Sequence, residues 1–306
     1  MVDHGSAFRR AVAGSETLPV IGVFDMMSAS IAARHYDALF VSGFGLAASH
    51  YGLPDIGFIA WPDVVGFVQR LRLAFPEHHL LVDIDDGYVD VEVACHVVRA
   101  LEQVGASGVV MEDQSRPRRC GHVAGKQVLP LPEYLDKLNA VLAARADLFV
   151  VARTDATEQA EAVARVAAFA GTDADAVLAD GIPSTDAIRA VARASGAKPL
   201  VFNQMAGGRS PALSLSDLTG LGVGVAIYST PCLFAAHAAV DAALTRLRAA
   251  DGLLPADSIG VAESQDLLKR NLAPRRTVPP PRAEPVTERP LPAGGGSPRP
   301  GSPPGA

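Results

Sequence analysis

The stretch HLLVDIDDGYVDVEVACHVVRALEQVGASGVVMED, residues 79–113, holds two short apolar runs with an amphipathic segment between them. HLLVDID (79–85) and SGVVMED (107–113) are nearly continuous in hydrophobicity, as strands covered on both faces of a parallel sheet must be. VEVACHVVRALEQVG (91–105) instead repeats its apolar residues at three- and four-residue spacing, which gives a helix one buried face. Gly105 stands where a helix C-cap is expected. Both strand-like runs end in acids: Asp83 and Asp85 in one, Glu112 and Asp113 in the other.

The same unit recurs in both directions. LPVIGVF (18–24) and DALFVSG (37–43) precede it; LFVVART (148–154), AVLADG (176–181), PLVFNQ (199–204) and VGVAIYS (223–229) follow. Ala-rich amphipathic stretches separate them, with Gly171 and Gly196 again at expected caps. Eight β-then-α units in a chain of this size predict an α/β fold of the (β/α)8 TIM-barrel type. The competing doubly wound sheet lacks its mark, because no glycine-rich phosphate loop follows the first run. The expected layout is a barrel with a C-terminal helical extension over 1–272, then a disordered Pro/Gly-rich tail over 273–306.

Composition narrows the function classes. The 306 residues are 49% hydrophobic with formal net charge −6, and no basic stripe with interleaved aromatics points to nucleic acid. No apolar run approaches the roughly 20 residues that a membrane helix needs. The N-terminus has no apolar signal core, and Cys95, Cys120 and Cys232 are too few and too scattered for a disulfide framework, so a cytoplasmic location is expected. Cys95 and Cys232 read as packing residues.

In a barrel the C-terminal strand ends converge on one mouth, where active sites lie. Here the runs end in Asp25, Ser42-Gly43, Asp83 with Asp85, Glu112-Asp113, Arg153 with Asp155, Asp180, Asn203 and Tyr228-Ser229. Asp25 and Asp155 read as helix caps or turn formers. Acids gathered at the third, fourth and sixth ends repel one another unless a cation holds them, and hard oxygen donors suit Mg2+ or Mn2+. Spacing predicts that Asp83 and Asp85 share one strand face.

After the fourth run comes SRPRRCGHVAGK (115–126). Positive charge around Cys120 lowers a thiol's pKa, which predicts a thiolate or a ready proton donor. Gly121 and Gly125 let the segment act as a lid. Arg118, Arg119 and His122 are then expected to grip a carboxylate while Cys120 moves a proton, with Arg153 as a bidentate clamp.

SGFGLAASHYGLPDIGF (42–58), VDIDDGY (82–88), MEDQSRPRRCGH (111–122) and VARTDA (151–156) together resemble the isocitrate lyase/phosphoenolpyruvate mutase superfamily. The resemblance runs from about residue 15 to 250. It is nearest to the short-form branch of 2-methylisocitrate lyase, dimethylmalate lyase and carboxyphosphonoenolpyruvate phosphonomutase. It implies Mg2+, a homodimer or homotetramer with the last barrel helix exchanged between subunits, and a small carboxylate substrate that is or yields a pyruvate-like enolate. By position it places Ser42, Gly43 and Phe44 on the keto-acid carboxylate. Asp55, Asp83 and Asp85 fall in the metal shell with Glu112 behind them, and Cys120 is the acid/base with His122 beside it. Arg119, Gly121, Arg153, Asp180 and Asn203 fall in the substrate site.

Departures from the family pattern matter for specificity. Arg118 stands for a lysine, Asp180 for a glutamate, Val89 for a glycine, Ala206 for a glutamate and Phe234 for an arginine. The implied activity is C–C cleavage of a small 2-hydroxy di- or tricarboxylate, and the last two departures point away from tricarboxylic acids. A phosphonomutase forming a C–P bond is the second expectation, and a barrel without catalysis the third.

Overall fold

A computed structural model describes residues 3–88, 90–255 and 258–272; the tail expected over 273–306, like Val89, lies outside the described residues. Eight parallel strands close into a barrel in sequence order. They are β1 (Leu18–Val23), β2 (Ala38–Val41), β3 (His79–Asp83), β4 (Gly108–Glu112), β5 (Phe149–Thr154), β6 (Ala176–Ala179), β7 (Leu200–Gln204) and β8 (Val223–Tyr228). β1 pairs with both β2 and β8. Each of the eight apolar runs contains one strand.

Helices cover the outside. They are α1 (His4–Ala13), α2 (Met26–Ala32), α3 (Gly43–Leu46), α4 (Trp61–Ala74), α5 (Val91–Gln103) and α6 (Leu131–Ala144). After these come α7 (Gln159–Ala170), α8 (Thr185–Ala194), α9 (Leu215–Gly220), α10 (Pro231–Ala249) and α11 (Val261–Lys269). Asp25 caps α2 as expected, accepting from Ser28 N–H at 2.6 Å. Gly105 and Gly196 follow α5 and α8 in left-handed conformations (φ 87° and 61°), whereas Gly171 ends α7 with helical dihedrals. Among the described residues no helix is long and apolar enough to cross a membrane.

Strand alternation divides the core in two. Val20, Phe40, Leu81, Val110, Val151, Leu178, Val201 and Ile227 fill the lumen. Their strand neighbours, such as Leu80, Val82, Val109, Val150 and Phe202, pack under the helices. α1 closes the floor: Phe8 is fully buried, edge-on to Phe149 with centroids 4.9 Å apart. Arg9 fixes that helix by donating to Asp147 O and Asp175 Oδ1, each at 2.7 Å. Phe8→Ala leaves a cavity in a packed floor and is expected to cost about 3–5 kcal/mol. The check is a urea midpoint lowered at unchanged m; a midpoint equal to the parent's contradicts the plug.

Candidate active site

Alternation that fills the lumen also builds the mouth. In seven of the eight strands a polar residue stands two positions beyond the inward apolar side chain, β1 having Gly22 after Val20: Ser42 after Phe40, Asp83 after Leu81, Glu112 after Val110 and Arg153 after Val151. Asp180, Asn203 and Ser229 follow Leu178, Val201 and Ile227 in the same way. Ser42, Asp83, Arg153, Asp180, Asn203 and Ser229 line one cavity together with Phe44, Asp55, Cys120, Gly121, His122 and Met205. Glu112 lies buried beside it. Ser229, assigned no role in the sequence reading, donates to Asn203 Oδ1 at 2.5 Å. Counting by twos from the lumen finds it.

Asp83 and Asp85 meet at the mouth by a different route from the expected one. β3 ends at Asp83, and Asp85 adopts φ 51°, so a left-handed turn rather than strand alternation returns its carboxylate. Asp85 N–H donates to Asp83 Oδ1 at 3.1 Å. Gly43 lies against both: a Cβ there would stand 3.2 Å from Asp85 Oδ1 and 3.3 Å from Asp83 Oδ2. Ser42 caps α3, accepting from Gly45 N–H at 3.2 Å.

Arg118 is buried among the acids. It reaches Asp55 Oδ1 at 2.5 Å, Glu112 Oε1 at 2.8 Å and Asp85 Oδ1 at 3.1 Å. Arg119 is exposed and stands outside the cavity, because Gln114 grips its backbone N–H and C=O at 2.9 and 2.7 Å and turns the side chain away. The expectation that both arginines grip substrate is therefore corrected. His122 sits at the cavity, but its ring is engaged by protein. Nε2 lies 3.3 Å from Asp180 Oδ1 and from Asn203 Nδ2, and Nδ1 accepts from Arg209 N–H at 3.1 Å.

The thiol is the second correction. Cys120 is buried, and that burial pushes its pKa up to about 12, with Asp55 and Asp180 adding to the rise. The basic residues beside it in sequence do not serve it in space: one is committed to carboxylates and the other faces solvent. Burial thus favours the protonated thiol over the thiolate.

Arg153 organises the opposite wall. Its Nη2 lies 2.8 Å from Asp180 Oδ2 and 3.1 Å from Glu112 Oε2, while Nε lies 2.9 Å from Asp155 Oδ2. Asp155, expected as a turn former, is a fully buried counter-ion that also accepts from Lys126 Nζ at 2.7 Å. Burial works against ionising Asp180, yet Arg153 and His122 hold its pKa well below the usual carboxylate range. Gly121 is seated so closely that a Cβ would lie 2.0 Å from Asp180 Oδ2 and 2.5 Å from Arg153 Nη2. Lys126 also donates to Gly121 O at 2.6 Å. Nothing in the sequence pattern marked Lys126.

The donor set fits a hard divalent cation. Asp55, Asp83, Asp85, Glu112, Asp155 and Asp180 are opposed by Arg118, Arg153 and Lys126, which leaves carboxylates in excess in a buried mouth. Burial and the neighbouring Asp83 raise Asp85 to about 7, and burial raises Asp83 as well. Among the described residues no three His, Cys, Asp or Glu side chains form a metal-holding group. Asp83 and Asp85 with waters are what Mg2+ accepts.

Residues 8–248 match the family described as phosphoenolpyruvate phosphomutase. The chain is a member of the phosphoenolpyruvate mutase/isocitrate lyase superfamily. It is 32% identical over 238 residues to a 2-methylisocitrate lyase of Bacillus subtilis, covering 76% of this chain and 78% of that protein. The crystal structure of a 2,3-dimethylmalate lyase superposes with TM-score 0.84 at 28% identity, over 89% of this chain and 94% of the other. A phosphonopyruvate hydrolase in complex with oxalate and Mg2+ superposes with TM-score 0.77 at 28% identity, over 88% and 95%. This superfamily member is an enzyme with the lyase or mutase chemistry of its relatives; the barrel without catalysis is set aside.

Gly121→Ala is expected to hold the 115–127 segment off its seat. Trypsin then cuts after exposed Arg119 about tenfold faster or more, since cleavage follows the population of the open form. Cleavage at the parent's rate would mean the segment tolerates a methyl group there.

Proposed function

We propose that this superfamily member is a Mg2+-dependent lyase acting on a small 2-hydroxy dicarboxylate, or on the hydrate that a 2-keto one forms with water. The hydroxyl proton leaves to solvent water, the C–C bond breaks as the C=O forms, and Cys120 protonates the resulting enolate, its thiolate regaining a proton from water once products leave. The carrying observation is the buried Cys120 side chain lining the same cavity as Arg153 and Asp83, with burial pushing its thiol pKa up. A divalent cation on Asp83 and Asp85, with Asp55 and Glu112 behind, supplies Lewis-acid stabilisation of negative charge on the substrate oxygens. Ser42, Gly43 and Phe44 at the start of α3 receive the carboxylate. Arg153, fixed by Asp155 and Asp180, presents a guanidinium to the oxygen where charge develops; such preorganised donors need no rearrangement during the reaction. Asn203, held by Ser229, and His122 seat the lid segment that excludes water while Cys120 gives up its proton. A thiol in its acid form is the correct state for that step.

The substrate side of the site is apolar where charge would serve a tricarboxylate. Phe234, at the start of α10, stands edge-on to Phe44 with centroids 6.0 Å apart, and Ala206 is exposed without charge. An extra carboxylate buried there would go unpaired. Dimethylmalate-type acids or oxaloacetate are therefore expected to be cleaved well ahead of 2-methylisocitrate. Chelation should abolish turnover and Mg2+ restore it. Preferred cleavage of 2-methylisocitrate overturns the specificity, and full turnover after chelation overturns the metal.

Cys120→Ser is expected to lose about 10²–10⁴-fold in turnover, the usual worth of general acid–base catalysis. Oxalate affinity by calorimetry should barely change. Turnover within threefold of the parent assigns Cys120 to packing alone.

The same protein is proposed to act as a homodimer or homotetramer. None of the 19 residues of α10 is buried, although the helix is rich in Ala and Leu. Val240, Leu244, Leu253, Leu254 and Ile259 are exposed in and after it. Such a face is stable in water when another subunit covers it, as exchange of this helix would do. Sedimentation should give a dimer or larger species at micromolar concentration; a monomer would refute the assembly.

A further inference from the structure

Lys126 has no part in the chemistry above, yet it is among the best-buried cations of the protein. Its side chain is 1% exposed, and its ammonium stands between two acceptors, Gly121 O at 2.6 Å and Asp155 Oδ1 at 2.7 Å. Gly121 adjoins Cys120 in the lid, and Asp155 is the carboxylate that holds Arg153 Nε. We propose that Lys126 is the latch of the lid, a positioning residue whose ammonium fastens the backbone beside Cys120 to the Asp155–Arg153 pair. The inference rests on reading residues 115–127 as a lid.

The surrounding bonds support a latch rather than a general surface tie. Both ends of the lid are fixed independently of Lys126. At the base, Ser115 N–H donates to Gln127 O at 2.9 Å, and Leu129 N–H donates to Asp113 O at 2.8 Å. Asp113 is in turn paired with Arg165 at 3.0 Å and accepts from Asp155 N–H at 2.9 Å. The first half is held by Gln114 on Arg119 and by the Arg116–Asp86 pair. The stretch carrying Cys120 and Gly121 has fewer holds: His122 on its ring contacts, and Lys126 on the Gly121 carbonyl. Each of the two reaches a carboxylate paired with Arg153, His122 through Asp180 and Lys126 through Asp155, but of the two side chains Lys126 is the one that also grips the backbone beside Cys120, at Gly121 O. Opening the lid would strip a cation from fully buried Asp155, which disfavours the open state. Closure therefore also settles which partners Arg153 keeps.

The test reads lid closure without substrate, by site-resolved alkylation with iodoacetamide. Cys120 is shielded when the lid is shut, and Cys95 and Cys232 report on the rest of the molecule. In Lys126→Met, Cys120 is expected to react about tenfold faster or more, as loss of a charge-assisted contact shifts a two-state equilibrium. Cys95 and Cys232 should keep their parental rates. The double variant Lys126→Met/Asp155→Asn neutralises the carboxylate that the single variant leaves without its lysine, while Arg153 keeps Asp180 and Glu112; it should show the same Cys120 acceleration and guards against misfolding of the single one. Cys120 rates equal to the parent's in both variants overturn the latch, and so does equal acceleration of all three thiols. The outcome is independent of turnover. Failure of every proposed substrate, with Cys120 still accelerated, would fault the reaction and leave the latch standing.

Discussion

A single buried carboxylate joins the two halves of the site. Glu112 meets Arg118 of the lid at 2.8 Å and Arg153 of β5 at 3.1 Å, at 1% exposure. Three charges taken from water together are tolerable because each meets the others; removing one partner from such a set typically costs about 3–5 kcal/mol. The constraint propagates outward. Arg118 meets Glu112 from the 115–126 segment, and in that position it also meets Asp55 and Asp85. Arg153 meets Glu112 with Asp155 and Asp180 balancing its remaining charge. The mouth is therefore one electrostatic unit rather than a set of independent residues.

The barrel was legible because its determinants are local. Apolar runs of strand length, separated by helical periodicity, read the same in a sequence as in space, and every strand lies inside its run. Membership of the mouth was legible for a related reason: an inward Leu81 or Val151 commits Asp83 or Arg153 to the same side. What stayed hidden depends on contacts distant in sequence. The left-handed position of the turn is Asp85 itself rather than a glycine, and Gly87, which closes the turn on Ile84 O, comes two residues later. The opposite fates of Arg118 and Arg119 are set by Gln114 and Glu112, not by their own identity. Lys126 and Asp155 find each other across 29 residues.

The thiol shows why proximity in sequence misleads about charge. A run of arginines next to Cys120 promised a positive field, but a guanidinium already committed to carboxylates contributes little beyond them. Burial then decides, because it penalises the thiolate whatever the nominal surroundings. Of the two states the sequence invites, thiolate or proton donor, burial favours the second.

The floor of the barrel has a consequence for synthesis. α1 is made before β5, yet Ser6 and Arg9 bind Asp147, more than 135 residues later. Phe8 finds His79 on β3 earlier, but its seat against Phe149 is incomplete until β5 has emerged. Contacts of such long span form late and slow the search for the closed barrel. An opposite order of manufacture, as in a circular permutant beginning near residue 145, would deliver the seat just before or together with its plug. The native order leaves the floor of the barrel to close only after β5 has been made.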